Sequence, residues 1–105
     1  MLYDSIKGMN NITKLKEKFI TTDPKDNVTT ARIEVQADTI LSTDDETTIK
    51  TKETIPFGHK MALGDIKKGD PAIKYGQRIG IATQDIAVGE LVHTHNLSGE
   101  RGMAK

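Results

Sequence analysis

The clearest pattern in this chain is Asp65-Ile66-Lys67-Lys68-Gly69-Asp70, which returns twenty residues later as Asp85-Ile86-Ala87-Val88-Gly89-Glu90. Both copies read D-I-x-x-G-acid, and an apolar-rich stretch follows each of them, at 72–75 and at 91–94. An aspartate can accept the free N–H groups of a first helical turn, and a glycine can take the positive φ that ends one. The pattern therefore predicts a one-turn helix near each aspartate, followed by a strand. The two units must pack on each other to hide their apolar residues.

The rest of the chain predicts a mainly β protein. Thirteen Thr and twelve Ile favour strands, and nine glycines and three prolines interrupt the chain at short intervals. Apolar and polar residues alternate over 31–38, which is typical of a half-buried strand. Residues 47–54 carry Ile49 as their only large apolar side chain and predict an edge strand. Turns are expected at 23–27, through an Asx-turn at Asp26-Asn27, and at 43–46.

Three segments are expected along the chain. Residues 1–16 have apolar side chains at three- or four-residue steps and predict a marginal helix or a disordered lead-in. Residues 17–98 form the domain, and the small, polar residues 99–105 a flexible tail. The predicted core consists of Ile33, Val35, Ile66, Ile73, Ile79, Ile81, Ile86 and Val92.

Composition excludes several classes of protein. A chain of 105 residues suits one domain, and fifteen basic residues balance fifteen acidic ones, which removes the main argument for a nucleic-acid or anionic-membrane partner. Without cysteine, disulfides and thiolate sites are excluded. No apolar run is long enough to span a membrane and no secretory signal is visible, so we expect a small cytoplasmic protein. An apolar content of 35% is thin, and such cores are often completed by a partner.

Three histidines are the main candidates for chemistry. His93 and His95 lie two apart on a predicted strand, so their rings would share one face and could converge on a divalent metal ion. Asn96 adds an amide next to them, and Gly58 can bend the chain to present His59. The alternative is that these are ordinary surface or hydrogen-bonded histidines. Likewise, Lys60 could be a solvated lysine and Tyr75-Gly76 a simple turn.

Four ordered motifs identify a family resemblance. They are Asp26-Asn27-Val28, Ile55-Pro56-x-Gly58-His59-Lys60-x-Ala62-Leu63, Ile73-Lys74-Tyr75-Gly76-x-x-Ile79-Gly80-x-Ala82 and Gly89-Glu90-x-Val92-His93-x-His95-Asn96. Over about residues 18–98 the chain resembles the N-terminal SAF-type domain of the altronate/galactarate dehydratase family. It is also similar to the small (alpha) subunit of sulfolactate sulfo-lyase.

The resemblance implies a small SAF-type, β-clip-like fold and a metal-dependent hydro-lyase that acts on sugar acids. It implies Fe(II) or Mn(II), with His59, His93 and His95 as catalytic residues and metal ligands at one rim of the fold. We expect Lys60, Tyr75 and Asn96 to bind substrate. A large dehydratase subunit would supply the remaining ligands and the pocket, so the isolated chain is expected to be inactive.

Two other functions stay open. One is a sulfo-lyase alpha subunit, in which sulfite leaves instead of water. The other is a non-catalytic module that binds a sugar acid or supports assembly. Whether the chain also forms a homo-oligomer is left open by the sequence.

Overall fold

The computed structural model describes residues 12–99 and confirms a mainly β architecture, with 41% strand and 5% helix. The helix is α1 (Leu15–Lys18). The strands are β1 (Thr13–Lys14), β2 (Phe19–Ile20), β3 (Val28–Ala31), β4 (Ile40–Ser42), β5 (Thr48–Lys50), β6 (Lys60–Ala62), β7 (Pro71–Lys74), β8 (Gln77–Ala82), β9 (Leu91–Val92) and β10 (Leu97–Gly99). Of the predicted lead-in 1–16 and the predicted tail 99–105, residues 1–11 and 100–105 lie outside the described residues.

The strands form three small sheets. The central sheet has the order β2-β3-β6-β9, and all its neighbours are antiparallel. A second sheet, β1-β4-β5, places β5 at an edge, as predicted for residues 47–54. The third, β10-β8-β7, contains a hairpin whose two-residue turn is Tyr75-Gly76. Both turn residues have positive φ, 57° and 71°, as the tight turns that suit twisted strands require.

Four ten-residue segments share one backbone path, and we call them clips. Clip 1 is 31–40, clip 2 is 51–60, clip 3 is 62–71 and clip 4 is 82–91. Each has an isolated bridge at its fifth residue, which joins Val35 to Ile55 and Ile66 to Ile86. Each also has positive φ at its eighth residue, at Asp38, Gly58, Gly69 and Gly89. The N–H of that residue donates to the first carbonyl of the partner clip, at 2.8–2.9 Å. The four clips therefore form two hydrogen-bonded pairs, clip 1 with clip 2 and clip 3 with clip 4.

The predicted one-turn helices at 65–66 and 85–86 were wrong. These residues lie in clips 3 and 4, where the backbone groups of Ile66 and Ile86 bond to each other instead of to a helical neighbour. The aspartates cap the partner clip. Asp65 Oδ1 accepts the N–H of Val88 at 3.0 Å, and Asp85 Oδ1 accepts that of Lys68 at 2.9 Å.

The continuous strand predicted over 31–38 was also wrong. β3 ends at Ala31, the chain bends, and pairing resumes only at the Val35 bridge. Ala31 and Val35 are buried, while Ile33 is 47% exposed and so is not a core residue. Residues 31–38 instead lie in clip 1, where the chain turns between two buried positions that are four residues apart.

The core consists of two clusters, one on each face of the central sheet. Met61 belongs to the first and its neighbour Ala62 to the second, and adjacent strand residues point to opposite faces. The first cluster also contains Phe19, Ala31, Val35, Leu41, Ile49 and Ile55. The second contains Val28, Ile66, Ala72, Ala82, Ile86 and Val92. Of the predicted core, Val35, Ile66, Ile86 and Val92 are buried, and Ile73, Ile79 and Ile81 are only partly buried.

Candidate functional site

Two of the three histidines meet across the central sheet. β6 and β9 run antiparallel with Lys60 opposite Val92. One further step in this register places His59 opposite His93, and their ring centroids lie 4.8 Å apart at a tilt of 46°. Two imidazoles from separate segments, 34 residues apart in sequence, are therefore held as one pair.

The orientation of His59 is set by its own clip. Its Nδ1 lies 3.2 Å from the carbonyl oxygen of Phe57. Because a carbonyl oxygen only accepts, this hydrogen bond requires the proton on Nδ1 and leaves the lone pair on Nε2. A backbone carbonyl that fixes the tautomer in this way is common behind metal-binding and proton-transferring histidines. The Phe57 side chain beside it is 71% exposed.

A tight turn after β9 presents His93, and Asn96 holds that turn. Asn96 is only 2% exposed. Its Oδ1 accepts the N–H of His93 at 2.9 Å, and its Nδ2 donates to the Leu91 carbonyl at 2.8 Å. Both ends of the amide thus bond to backbone of the same loop. Asn96 positions His93, which is a role that the sequence did not reveal.

His95 does not share a strand face with His93, so that prediction was wrong. β9 ends at Val92, and residues 94–96 form a turn in which the alternation of a strand does not apply. Both His93 and His95 are exposed. Among residues 12–99, no three His, Asp or Glu side chains are grouped so that they could hold a metal ion. The arrangement that this chain provides is a pair of histidines.

Lys60 lies on the opposite face of the central sheet from its neighbour His59. Strand alternation directs Lys60 to the face of the second core cluster, where Thr30 and Val92 are its cross-strand neighbours. The side chain is partly buried, and burial lowers the pKa of its amine, with a further lowering from the charge of Lys74. The Nζ of Lys74 lies 4.8 Å from the centre of the Tyr75 ring. Lys74, in the Ile73-Lys74-Tyr75-Gly76 motif, is thus the residue that contacts Tyr75.

The Asp26-Asn27 pair fixes the β7–β8 hairpin, which carries Lys74 and Tyr75. Asp26 Oδ1 accepts the N–H of Gly76 at 2.9 Å. The side-chain amide of Asn27 donates to the Pro71 carbonyl and accepts the N–H of Ile73. These contacts span more than forty residues, so the predicted local Asx-turn at Asp26-Asn27 was wrong. The Asx-type contact lies at Asp23, whose Oδ1 accepts the N–H of Lys25.

The pKa of Asp26 reflects its anchoring role. Burial by itself would raise this pKa, because a charged carboxylate loses its hydration. Hydrogen bonds from the backbone at Gly76 and Tyr75 and from the hydroxyl of Thr22 outweigh burial, and the pKa lies below its usual value. Asp26 is thus held as a carboxylate that fastens the tip of the β7–β8 hairpin.

An open groove of about 850 Å³ lies elsewhere, between α1, β4, β5 and the bends of clips 3 and 4. Its lining includes the apolar residues Leu15, Phe19 and Val88 and the acidic residues Asp44, Asp45 and Asp65. The predicted site residues do not line it.

No helix within residues 12–99 is long and apolar enough to cross a membrane.

Comparison with known proteins shows the family. Residues 17–100 match the family model described as the altronate/galactarate dehydratase SAF domain. The chain is 41% identical over 80 residues to altronate dehydratase of Bacillus subtilis and 42% identical over 79 residues to that of Escherichia coli. These matches cover 76% and 75% of this chain but 16% of each relative. It is also 42% identical over 62 residues to the (2R)-sulfolactate sulfo-lyase subunit alpha of Paracoccus pantotrophus, covering 59% of this chain and 92% of that subunit.

Proposed function

Because this chain belongs to the SAF-domain family of altronate and galactarate dehydratases, we propose that it is the small part of a sugar-acid hydro-lyase. It works with a large catalytic chain, and the reaction removes water from a hexonate or hexarate. The observation that carries the proposal is the His59–His93 pair, whose two rings come from the two histidine motifs of the family resemblance.

The size of the relatives supports a large partner. The chain spans only about a sixth of the altronate dehydratases that it matches, so most of those proteins has no counterpart in these 105 residues. The sulfo-lyase relative is named as a subunit and matches along nearly its whole length. Both relations fit a domain that acts beside a large chain.

The histidine pair has the chemistry for a shared metal site. Nε2 of His59 and the ring of His93 would provide two imidazole ligands to Fe(II) or Mn(II), and the large partner would have to supply the rest of the set. A bound divalent ion would stabilise the negative charge that develops when the proton next to a carboxylate is removed. Phe57 fixes the tautomer of His59, and Asn96 fixes the loop of His93. Since imidazole binds metal only when neutral, metal affinity should fall as the solution is acidified.

The experiment is to co-express the chain with a large chain that corresponds to the remainder of an altronate dehydratase, and to measure the 2-keto acid formed from altronate and galactarate. We expect no turnover by the isolated chain and turnover by the pair. His59→Ala and His93→Ala should lower kcat by about tenfold or more, as loss of one acid–base or ligand group does, while the two chains still co-purify. Thr94→Ala is the matched control, an exposed residue in the same loop.

Three results would contradict the proposal. They are turnover by the isolated chain, full activity of both histidine variants, and equal loss in the Thr94 control. Sulfolactate serves as a second substrate in the same assay, because the sulfo-lyase alternative predicts release of sulfite and no dehydration of altronate.

A further inference from the structure

The strand that leads to His93 lies at an edge of the central sheet. β9 comes last in the order β2-β3-β6-β9, so among residues 12–99 its neighbour in the sheet is β6 alone. The ladder bond at this point runs from the N–H of Ala62 to the carbonyl of Glu90. Because such bonds recur at every second residue of an antiparallel pair, the N–H and carbonyl of Leu91 face away from β6.

Two side chains bond to these outward-facing groups of Leu91. The Oε2 of Glu53 accepts the N–H at 3.0 Å, and the Nδ2 of Asn96 donates to the carbonyl at 2.8 Å. Asn96 comes from the turn that directly follows β9. Glu53 comes from clip 2, 38 residues away in sequence, so its bond ties β9 to a separate segment of the chain.

The segment that supplies Glu53 also carries His59. The N–H of Lys52 donates to the carbonyl of Gly89 at 2.9 Å, which brings clip 2 alongside the chain as it enters β9. Glu53 is the next residue, and its bond reaches β9 two residues before His93. The two segments whose rings lie 4.8 Å apart are thus joined at Glu53 as well as through the pairing of β6 with β9.

We propose that Glu53 is a positioning residue for the His59–His93 pair. β9 is only two residues long, so its own ladder holds it weakly. Without the carboxylate, the Leu91 N–H would lose its partner and favour a position nearer to water, which would move His93 away from His59. Glu53 acts through the backbone of β9. Its effect on turnover rests on the proposed function, whereas its effect on the geometry of the pair does not.

The test is to record NOE cross-peaks between the carbon-bound ring protons of His59 and His93 by NMR of the full chain. The contact between the rings should give cross-peaks in the wild type. Glu53→Ala should lose them, and amide hydrogen exchange at Leu91 should become faster. Glu53→Gln keeps an oxygen that can accept the same N–H, so it should retain the cross-peaks.

Glu90→Ala is the matched control. The Oε1 of Glu90 accepts the N–H of Ala87 at 2.7 Å, a bond of the same kind that lies within clip 4 and does not join it to clip 2. This variant should keep the ring cross-peaks, which separates a positioning role from a general loss of stability. If Glu53→Ala does not fold, Glu53→Asp, which keeps the charge on a side chain one methylene shorter, should weaken the cross-peaks.

In the assembled enzyme, Glu53→Ala should lower kcat about tenfold, as loss of an outer partner of metal-binding histidines does, and Glu53→Gln should stay near the wild type. The proposal would be overturned by cross-peaks that persist in Glu53→Ala, by their equal loss in Glu90→Ala, or by a Gln variant no better than the Ala variant. Absence of turnover by the wild-type pair of chains would count against the proposed function alone, because the NMR comparison does not depend on it.

Discussion

Gly89 lies where two stretches of backbone approach each other too closely for any side chain. Its φ is 90°, its carbonyl accepts the N–H of Lys52, and an added Cβ would lie 2.1 Å from the carbonyl oxygen of Lys50. Gly69 occupies the same position of clip 3 with φ 92°, but an added Cβ there would have no atom within 4 Å. Substitution of Gly69 should therefore incur only the cost of positive φ, whereas substitution of Gly89 should incur a steric clash as well.

We predict that Gly69→Ala lowers the free energy of unfolding by about 1–2 kcal/mol, the cost of left-handed backbone for an L-residue. Gly89→Ala should lower it by a further 1–3 kcal/mol or so, because the added methyl must displace backbone. Urea unfolding of both variants measures the difference. Equal losses would show that the approach of Gly89 to the Lys50 carbonyl at the end of β5 is not tight.

Asp26 makes stability depend on acidity. Its pKa is lowered in the folded protein, so the stabilisation that it contributes is present above the unfolded-state pKa and is lost as pH falls through the folded-state pKa. We predict that Asp26→Asn lowers the free energy of unfolding at pH 7 by about 1–3 kcal/mol. The variant should also lose less stability than the wild type on acidification below about pH 4, the ordinary range for an aspartate. Parallel pH profiles would contradict this, and Asp70→Asn, at an exposed position, is the control.

At the scale of elements, the clip is the repeated unit of this fold. Its bonds cross between partners: the fifth residues pair, the eighth donates to the first carbonyl, and the N–H of the first donates to the ninth carbonyl of the partner. Clips 3 and 4 add reciprocal caps from Asp65 and Asp85. No clip can satisfy its backbone alone, so each pair is expected to form as one unit.

We predict that Asp85→Ala costs about 0.5–1.5 kcal/mol of stability, the net value of one hydrogen bond. Because its partner is the Lys68 amide in the other clip, the variant should also speed amide hydrogen exchange at Lys68. Asp44→Ala, at an exposed position in the β4–β5 turn, is the control for loss of a surface charge. Unchanged exchange at Lys68 would contradict the cap.

At the scale of the whole molecule, the central sheet lies between two small core clusters. β6 contributes Met61 to one and Ala62 to the other, and β3 contributes Ala31 and Val28 in the same way. Loss of either cluster would expose one face of the shared sheet. The two clusters should therefore unfold together.

We predict that Ile86→Ala lowers the free energy of unfolding by about 2–5 kcal/mol, because Ile86 is fully buried beside Ile66. Ile33→Ala should change it by less than about 0.5 kcal/mol, since Ile33 is half exposed. Denaturant unfolding followed residue by residue should show one transition in both variants. If the residues of the second core cluster unfolded in a separate, earlier transition, this would contradict the inference that the two clusters unfold together.

Much of the local structure could be predicted from the residues alone. Frequent glycine, threonine and isoleucine indicated a mainly β chain, the polar stretch around Ile49 indicated an edge strand, and the repeated D-I-x-x-G pattern located clips 3 and 4. Clips 1 and 2 were missed because Asp38 replaces the glycine in one and the first aspartate is absent from both. A β-branched residue followed three positions later by a residue that tolerates positive φ would have found all four.

The sequence by itself determined where the chain turns and which residues carry imidazoles and amines, because these follow from side-chain chemistry and local backbone preference. Only the tertiary structure decided that Asp65 caps the other clip, that Asn96 holds His93, and that His59 pairs with His93 while Lys60 lies on the opposite face of the sheet. These contacts depend on the register of strands far apart in the chain. A shift of one residue would move each side chain to the opposite face, and no local pattern encodes that choice.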